Sequence, residues 1–495
     1  MMIRTIGKDT APLYKHETGN QVKTHLLWGD RVRVDQVGAS RSKVRARGKV
    51  GWVANGSLGD KSLLEIYVID VGQGDGVLIR TPDHRHILID GGWPRKNLPT
   101  AANAADFVDW KFATDYGEEQ IRLDAMICTH NDQDHYGGLW DLLDPDERAG
   151  LHLTDVRVEA FYHAGLAWWA EQGGKVLGPW QPTAQGDMFT QLMGDRDGVV
   201  AAVQAGADPR LAGDWRNFME CVTQARRADG VPTPIRRLSN LSGYLPGFAP
   251  AAGLPSIKVL APVEFEVDGE PAIRRFRADE SVNTNGNSVL LRIDYGRARI
   301  LLTGDLNRDS QESLLADYAG QHDQLTCDVA KACHHGSDKV SLQFLQKVEP
   351  SAWVISSGDS EGYDHPRPAI VAASGLTGHR QVVGDELITP LVYCTELARS
   401  VGLGTPVSAT VRDEEGQTVD ACSGLAPKRV MVTYTETKPG DREPTTRTLP
   451  LSARRIAARL VFGLVNVRTD GDKVLCATLS EKDATWHTKS FRARF

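Results

Sequence analysis

Between residues 129 and 138 the chain reads Thr-His-Asn-Asp-Gln-Asp-His-Tyr-Gly-Gly, at the point where the apolar run DAMIC ends and a helical pattern begins. His130, Asp132, Asp134 and His135 thus place four potential metal ligands within six residues. Imidazole and carboxylate are the donors that borderline and hard divalent cations take, and a turn that sends them to two sides suits a pair of metals. A helix cap in the same place would need one Asp, not this set. The chain must therefore fold so that other ligands can reach this turn.

Three later stations supply them. Gly304-Asp305 ends the run RILLT, His334-His335-Gly336-Ser337 ends DVAKAC, and His365-Pro366 follows SSGDSEGYD. Each puts a ligand just past an apolar run, the edge at which an α/β sheet gathers its site. Around these stations SLLEIYVIDV, GVLIRT, HILIDGG, VRVEAFYH, IKVLAPV, NSVLLRIDYG, ARILLTGD and SAWVISSGD read as strands. HYGGLWDLLDPDE, stopped by Asp144-Pro145, and NRDSQESLLADYAG read as helices. Such alternation predicts an α/β architecture of stacked layers.

With 495 residues, 41% apolar and 24% charged, the chain is long enough for two to four domains and is of ordinary globular composition. The formal charge of -7 excludes a strongly basic surface overall. The 7 cysteines form no CxxC pair and fit neither a disulfide framework nor a cysteine zinc site. No run approaches the roughly 18 apolar residues of a membrane span, and the N-terminal residues lack the apolar core of a secretory signal, so a cytoplasmic protein with no membrane partner is expected.

Residues 1–60 carry short alternating runs. Leu26-Leu27 before Gly29-Asp30, the Val32/Val34 pair and Gly51-Trp52-Val53 resemble a bacterial SH3-type domain. The resemblance implies a small β-barrel that takes a protein or peptide partner, with Trp52 expected in its core. Residues 61–400 hold the ligand stations, interrupted over 164–255 by an insertion or lid rich in Gly, Ala and Pro. Its Trp168, Trp169, Trp180 and Trp215 either pack a helical subdomain or, with its arginines, line a nucleic-acid groove. Residues 401–495 form an α+β extension with a helix at SARRIAARL and a hairpin turning at Asp470-Gly471. This tail is locally basic, with 15 Lys+Arg against 11 Asp+Glu, or +4.

The ordered set Asp70-Val71-Gly72-Gln73-Gly74-Asp75, Leu88-Ile89-Asp90-Gly91-Gly92, the His130–His135 turn, Asn285-Gly286-Asn287-Ser288, Leu302-Thr303-Gly304-Asp305, His334-His335-Gly336-Ser337 and His365-Pro366 resembles the metallo-β-lactamase-fold hydrolases, most of all the hydrolase domain of ComEC-type DNA-uptake proteins. The resemblance implies an αββα sandwich with two divalent metals at one edge. His130 and Asp132 would bind the first metal, Asp134 and His135 the second, and Asp305 would bridge. His334 or His335, with His335 favoured, would complete the second site. Asp90, and more weakly Asp75, would orient ligands from behind. Asp132 stands where the family usually has histidine, which shifts preference from zinc toward manganese or magnesium. Asn287 falls where many members supply a further histidine and would be a weak ligand or a substrate contact. His163 is a conceivable substitute, though a core or surface place is favoured. Lys331 and Lys339 flank the double histidine as phosphate contacts or surface lysines.

The implied activity is hydrolysis of phosphodiester bonds by a metal-bridging hydroxide, with DNA or RNA as substrate and His365 as general acid. A role in defence or DNA processing would follow. The alternatives are a small-molecule hydrolase acting on a cyclic nucleotide, phosphoester or acyl compound, and a recruitment module with a structural metal site.

Overall fold

A computed structural model describes residues 2–98, 102–358, 365–395, 463–479 and 485–495, together with the backbone of three further strands, Pro406–Arg412, Arg429–Glu436 and Thr445–Leu451, which pair as an antiparallel sheet. The predicted helix at SARRIAARL lies outside the described residues.

The strands read from the sequence divide between two facing sheets. The first orders Ile235–Arg237, Phe161–His163, Ala125–Cys128, His86–Ile89, Val77–Arg80, Leu64–Val68, Val465–Thr469, Lys473–Leu479 and Trp486–Arg492. The second orders Ser256–Ala261, Leu290–Tyr295, Ala298–Leu302, Val329–Lys331, Ala352–Ile355 and Leu391–Cys394.

Both faces of these strands are apolar, and the period of two sorts them. Leu64, Ile66, Val68, Ile79 and Ile89 meet Ile257, Val259, Leu291 and Ile300 between the sheets. Their neighbours Tyr67, Leu78, Leu88 and Met126 point outward, under Phe107 of helix Ala104–Trp110 and Leu139 of helix Gln133–Leu143. On the far side Leu301, Ala330 and Trp353 are covered by Leu314 of helix Arg308–Asp317 and Phe344 of helix Leu342–Val348. The result is the helix–sheet–sheet–helix sandwich that the motif set implies. Each buried Leu or Ile contributes about 1.5–3 kcal/mol.

Strand direction then fixes where ligands meet. Ala125–Cys128 runs parallel to His86–Ile89, and Ala298–Leu302, Val329–Lys331 and Ala352–Ile355 run parallel to one another. The segments that follow them, starting at Asp90, Thr129, Thr303, Ala332 and Ser356, emerge at one edge of the sandwich.

Several elements differ from the sequence reading. VRVEAFYH is two strands, Val156–Val158 and Phe161–His163, in different sheets. Asn285 closes the helix Glu280–Gly286 ahead of the strand Leu290–Tyr295. Asp144 does end the long helix, but its side chain also caps a new one, Pro145–Arg148. The hairpin at Asp470-Gly471 forms, yet it is not an appendage. Val465–Thr469 pairs antiparallel with Leu64–Val68, so the chain's last strands complete the first sheet. Strand Leu64–Val68 is buried along its whole length and would otherwise offer an open, apolar edge.

Residues 2–59 form a seven-stranded antiparallel sheet around Ile6, Leu13, Leu26, Val32, Val44 and Val53. This module rests on the C-terminal hairpin. Leu27, Trp28 and Leu63 meet Leu475, Ala477 and Trp486, and Trp486 Nε1 donates to the carbonyl of His25 at 2.9 Å. Buried Arg468 ion-pairs with Asp30 at 2.8 Å and donates to the carbonyl of Trp28 at 2.5 Å. Trp52 is not in the core; it is half-buried on the outer face, because Gly51 and Val53 are the residues whose register points inward.

In the insertion, Trp168, Trp169 and Trp215 are buried and only Trp180 is exposed, which leaves no aromatic groove. Phe218 stacks on Tyr136 with ring centroids 5.1 Å apart, and Trp215 meets the same ring edge-on at 5.2 Å. The insertion is thereby seated on helix Gln133–Leu143. Among the described residues no helix is long and apolar enough to cross a membrane.

Candidate metal centre

Three glycine-bearing turns let the backbone close around the helix that opens at Gln133. A Cβ at Gly74 would stand 2.2 Å from the carbonyl oxygen of Asp134, and one at Gly138 would stand 2.1 Å from that of Gly91. The loop Asp70–Gly76, the Gly91-Gly92 turn and the helix start therefore touch backbone to backbone. Asp90, His334 and His335 hold positive φ angles of 54°, 49° and 53°. Non-glycine residues adopt that region at a cost, and such strain concentrates at functional sites.

The side chains converge accordingly. Asp305 Oδ2 lies 2.9 Å from His335 Nε2 and 3.2 Å from His135 Nε2. His335 Nε2 lies 3.6 Å from Asp134 Oδ2, and His130 Nε2 lies 3.7 Å from Asp132 Oδ2. Among the described residues four groupings bring ligand atoms within 4.8 Å of one another: His130, His135 and Asp305; Asp134, His135 and His335; Asp75, Asp305 and His335; and Asp75, Asp90 and His135. Of the double histidine it is His335 that enters the cluster. His334 is turned outward, half-buried, in edge-on contact with His365 at 5.9 Å.

A second ring of hydrogen bonds sets which atoms face the cluster. His135 Nδ1 is 2.8 Å from Asp90 Oδ2, while the other Asp90 oxygen accepts from Thr129 N at 2.7 Å. His335 Nδ1 lies 3.2 Å from the carbonyl of Ser356 and 3.3 Å from Asp75 Oδ1. With each Nδ1 so engaged, Nε2 carries the lone pair. Asp75 does more than the weak helper role read from sequence, because Lys331 Nζ meets its Oδ2 at 2.5 Å and donates to the carbonyls of Gly304 and Ala332 at 3.0 Å. Lys331 is thus a buried counter-charge, neither a surface lysine nor a phosphate contact.

These residues fit divalent metal ions. The Nε2 atoms of His130, His135 and His335 and Oδ1 of Asp305 are buried without a hydrogen-bond partner, and they converge on one another. Buried acceptors left bare and close together are costly unless a cation lies among them. Burial, and then the neighbouring Asp134, push Asp132 up to about 7. Burial also opposes ionisation of Asp75, but Lys331 and His335 outweigh it and hold that carboxyl down at about 2.

The remaining candidates fall outside the cluster. Asn287 donates its amide hydrogens to the carbonyls of Arg274 and Asn283, at 3.0 and 2.9 Å, and so fastens the helix end. His163 is buried with Nε2 3.0 Å from the carbonyl of Gly194. His365 is near the mouth; burial, and then His335 and His334, lower it to about 4.

Thr284, which the motif set omits, and Ser288, whose role it leaves open, are positioning groups. Thr284 Oγ1 donates to Asp132 Oδ2 at 3.0 Å. Ser288 Oγ accepts from Asp305 N at 3.0 Å and sits 3.3 Å from His130 Nδ1. The segment in which a further histidine was sought therefore steadies three ligands from behind. Trp168 of the insertion also reaches the turn, donating from Nε1 to the carbonyl of Asn131 at 3.0 Å.

Comparison with known proteins bears on this arrangement. The family model described as the metallo-beta-lactamase superfamily matches residues 69–358. ComE operon protein 3 of Bacillus subtilis (strain 168) is 23% identical over 318 residues, 62% of this chain and 30% of that protein. Competence protein ComA of Neisseria gonorrhoeae is 39% identical over 101 residues, 20% of this chain and 14% of that protein. The matches span less than a third of either relative. A solved metal-dependent hydrolase of the beta-lactamase superfamily is 10% identical, covering 68% of this chain and 97% of its own with a TM-score of 0.30.

Proposed function

The chain belongs to the metallo-beta-lactamase superfamily, whose model its sequence matches over more than half its length, and on that premise we propose that it is a divalent-metal-dependent phosphodiesterase acting on DNA or RNA. The observation that carries this reading is the oxygen-rich cluster, in which Asp132, Asp134 and Asp305 stand with His130, His135 and His335. A relative named as a competence protein adds weight to a nucleic-acid substrate. The carboxylate-heavy donor set favours manganese or magnesium over zinc.

Two cations held there would supply an activated water and offset the charge that builds on the phosphate. The protein's own residues prepare the place. Asp90 and Asp75 fix the imidazoles of His135 and His335 so that Nε2 faces inward. Lys331 balances one of the buried carboxylates and holds Asp75 in line. Trp168 fastens the ligand turn to the insertion, which covers helix Gln133–Leu143. His334 and His365, as neutral imidazoles at the mouth, suit hydrogen bonding to a phosphate oxygen without repelling cations.

The test is hydrolysis of single- and double-stranded DNA and RNA by purified protein in manganese, with chelator as control. Cleavage is expected, and Asp305→Asn should abolish it together with most metal binding by calorimetry. Metal-loaded protein that leaves every nucleic acid and model phosphodiester intact would overturn the reading.

A further inference from the structure

The N-terminal module is the most basic part of the molecule. Residues 1–60 hold 11 Lys+Arg against 5 Asp+Glu, or +6, so the remaining chain carries -13. The folded module concentrates part of this charge on one face. On strand Arg41–Ala46, Ser42, Val44 and Ala46 are buried, and Arg41, Lys43 and Arg45 point outward at alternate positions. Such positions stand about 6.8 Å apart, forming a comb of cations along the strand. Trp52 is the cross-strand neighbour of Lys43 and Tyr14 is that of Trp52, which sets two half-buried aromatic rings beside the comb.

The charges on this face are largely unspent. Lys43 and Arg45 make no ion pair among the described residues. Arg41 lies 3.5 Å over the ring of Tyr14 and donates to the carbonyls of Glu17 and Gly19 at 3.2 and 2.8 Å, contacts that leave its charge in place. Arg33, opposite Arg45, is instead neutralised by Asp35 at 3.1 Å. Docking onto the body uses Leu27, Trp28 and Asp30 and, just past the end of the comb, Arg47, whose N donates to Asp115 Oδ1 at 3.0 Å and whose guanidinium lies 4.8 Å over the Trp486 ring.

We propose that this face binds single-stranded nucleic acid, with Trp52 stacking on a base and Arg41, Lys43 and Arg45 meeting phosphates. Charge complementarity selects a polyanion. The half-exposed ring of Trp52 selects one whose flat faces are free, which duplex bases are not. An acidic peptide would use the cations and leave that ring without a purpose. The proposal rests on the nucleic-acid reading for its role in the protein, but binding here does not require cleavage. The module joins at the Leu64 and Thr469 end of their paired strands, whereas the metal cluster lies beyond the Val68 end. The face is thus a holding site remote from the chemistry.

Fluorescence anisotropy of full-length protein with a labelled oligothymidylate of about 30 nucleotides, in chelator so that nothing is cut, reads this directly. Lys43→Glu with Arg45→Glu should weaken binding at least about 10-fold and flatten the salt dependence by about 0.7 in log–log slope for each phosphate that is no longer neutralised. Trp52→Ala should cost about five-fold or more, with Trp52→Phe restoring most of it. Hydrolysis of bis(p-nitrophenyl) phosphate in manganese should be unchanged by these variants, because turnover of that small substrate at the cluster does not involve the remote face. Wild-type protein that ignores the oligonucleotide, variants that bind it as wild type does, or poly-glutamate binding equally well with the same losses would each overturn the proposal. Oligonucleotide binding that follows the expected pattern, with no nucleic acid cleaved under any metal, would refute the nuclease reading and leave this face standing.

Discussion

Replacing Arg468 with methionine tests how the N-terminal module is held. The guanidinium and the Asp30 carboxylate are 2.8 Å apart, with side-chain exposures of 2% and 3%. The other Asp30 oxygen accepts from Leu27 N at 2.9 Å, so removal of Arg468 leaves a buried carboxylate with one hydrogen bond and only the more distant Arg47 and Lys111 in support. Breaking one partner out of a buried pair costs about 3–5 kcal/mol, or two to four decades in an equilibrium constant. Because the pair sits at a joint, the loss should appear as local opening rather than global unfolding. Hydrogen exchange of the amides in Val22–Leu27 and Lys473–Leu479 should therefore speed up by about 100-fold or more, while strands beside the metal cluster keep their protection. Adding Asp30→Asn should recover most of the loss, since the amide still accepts from Leu27. The pH dependence has a definite sign. Burial raises Asp30, but Arg468, with Arg47, Lys111 and the Leu27 hydrogen bond, together outweigh it, and the folded carboxyl lies below its ordinary value. Its contribution is complete above the unfolded value of about 3.9 and fades as pH falls through the folded one. In Arg468→Met burial acts unopposed by that guanidinium, so the gap between variant and wild type should shrink below about pH 4. Exchange within three-fold of wild type at pH 7 would refute the electrostatic account. A double variant as labile as the single one would assign the effect to the packing of the Arg468 stem instead.

Lys331→Met should destabilise metal-free protein by about 3–5 kcal/mol in urea denaturation, because Asp75 loses the cation 2.5 Å away, and Asp75→Asn in the same chain should restore much of it. If the pair of changes is no better than the first, Asp75 does not depend on Lys331. Phe218→Ala removes a fully buried ring stacked on Tyr136 and should cost about 3–5 kcal/mol by the same measurement; a loss under 1 kcal/mol would mean that the insertion is not seated through this ring. Thr284→Val deletes the hydroxyl 3.0 Å from Asp132 and should lower manganese affinity about 10-fold in calorimetry with little change in stability. Unchanged affinity would show that Asp132 needs no such support.

The ligand turn was legible because four donors in six residues have no cheap alternative use, and the sandwich was legible because strands apolar on both faces must be covered twice. What escaped depends on distance along the chain or on direction. Val465 pairs with Val68 across almost 400 residues, and no local pattern in the hairpin reveals that its partner edge is otherwise bare. His334 and His335 are equivalent as letters; left-handed backbone at both, followed by Gly336 at a φ of 82°, turns only the second inward. Trp52 and Trp215 are the same residue type with opposite fates, fixed by strand register in one case and by the helix face that meets Tyr136 in the other. For Asn287 the sequence does not show that its amide nitrogen fastens a helix end through the carbonyls of Arg274 and Asn283, because those partners are set by the fold.

The same strands bind two unlike structures together. At one end Asp90 follows His86–Ile89 into the metal cluster. At the other, Arg80 pairs with Glu65 at 2.7 Å, Arg468 lies between Asp30 and Tyr67, and the module is joined to the sheet through buried charge. A flexible tether would need none of this, since a mobile module gains nothing from a fully desolvated ion pair and would bear its desolvation cost at each excursion. A buried pair that must form in one geometry instead fixes the orientation of the module relative to the sheet, and so relative to the metal ligands. The module is therefore rigidly joined to the sheet at the end away from the cluster. Its outward cations thus occupy a constant position with respect to the cluster.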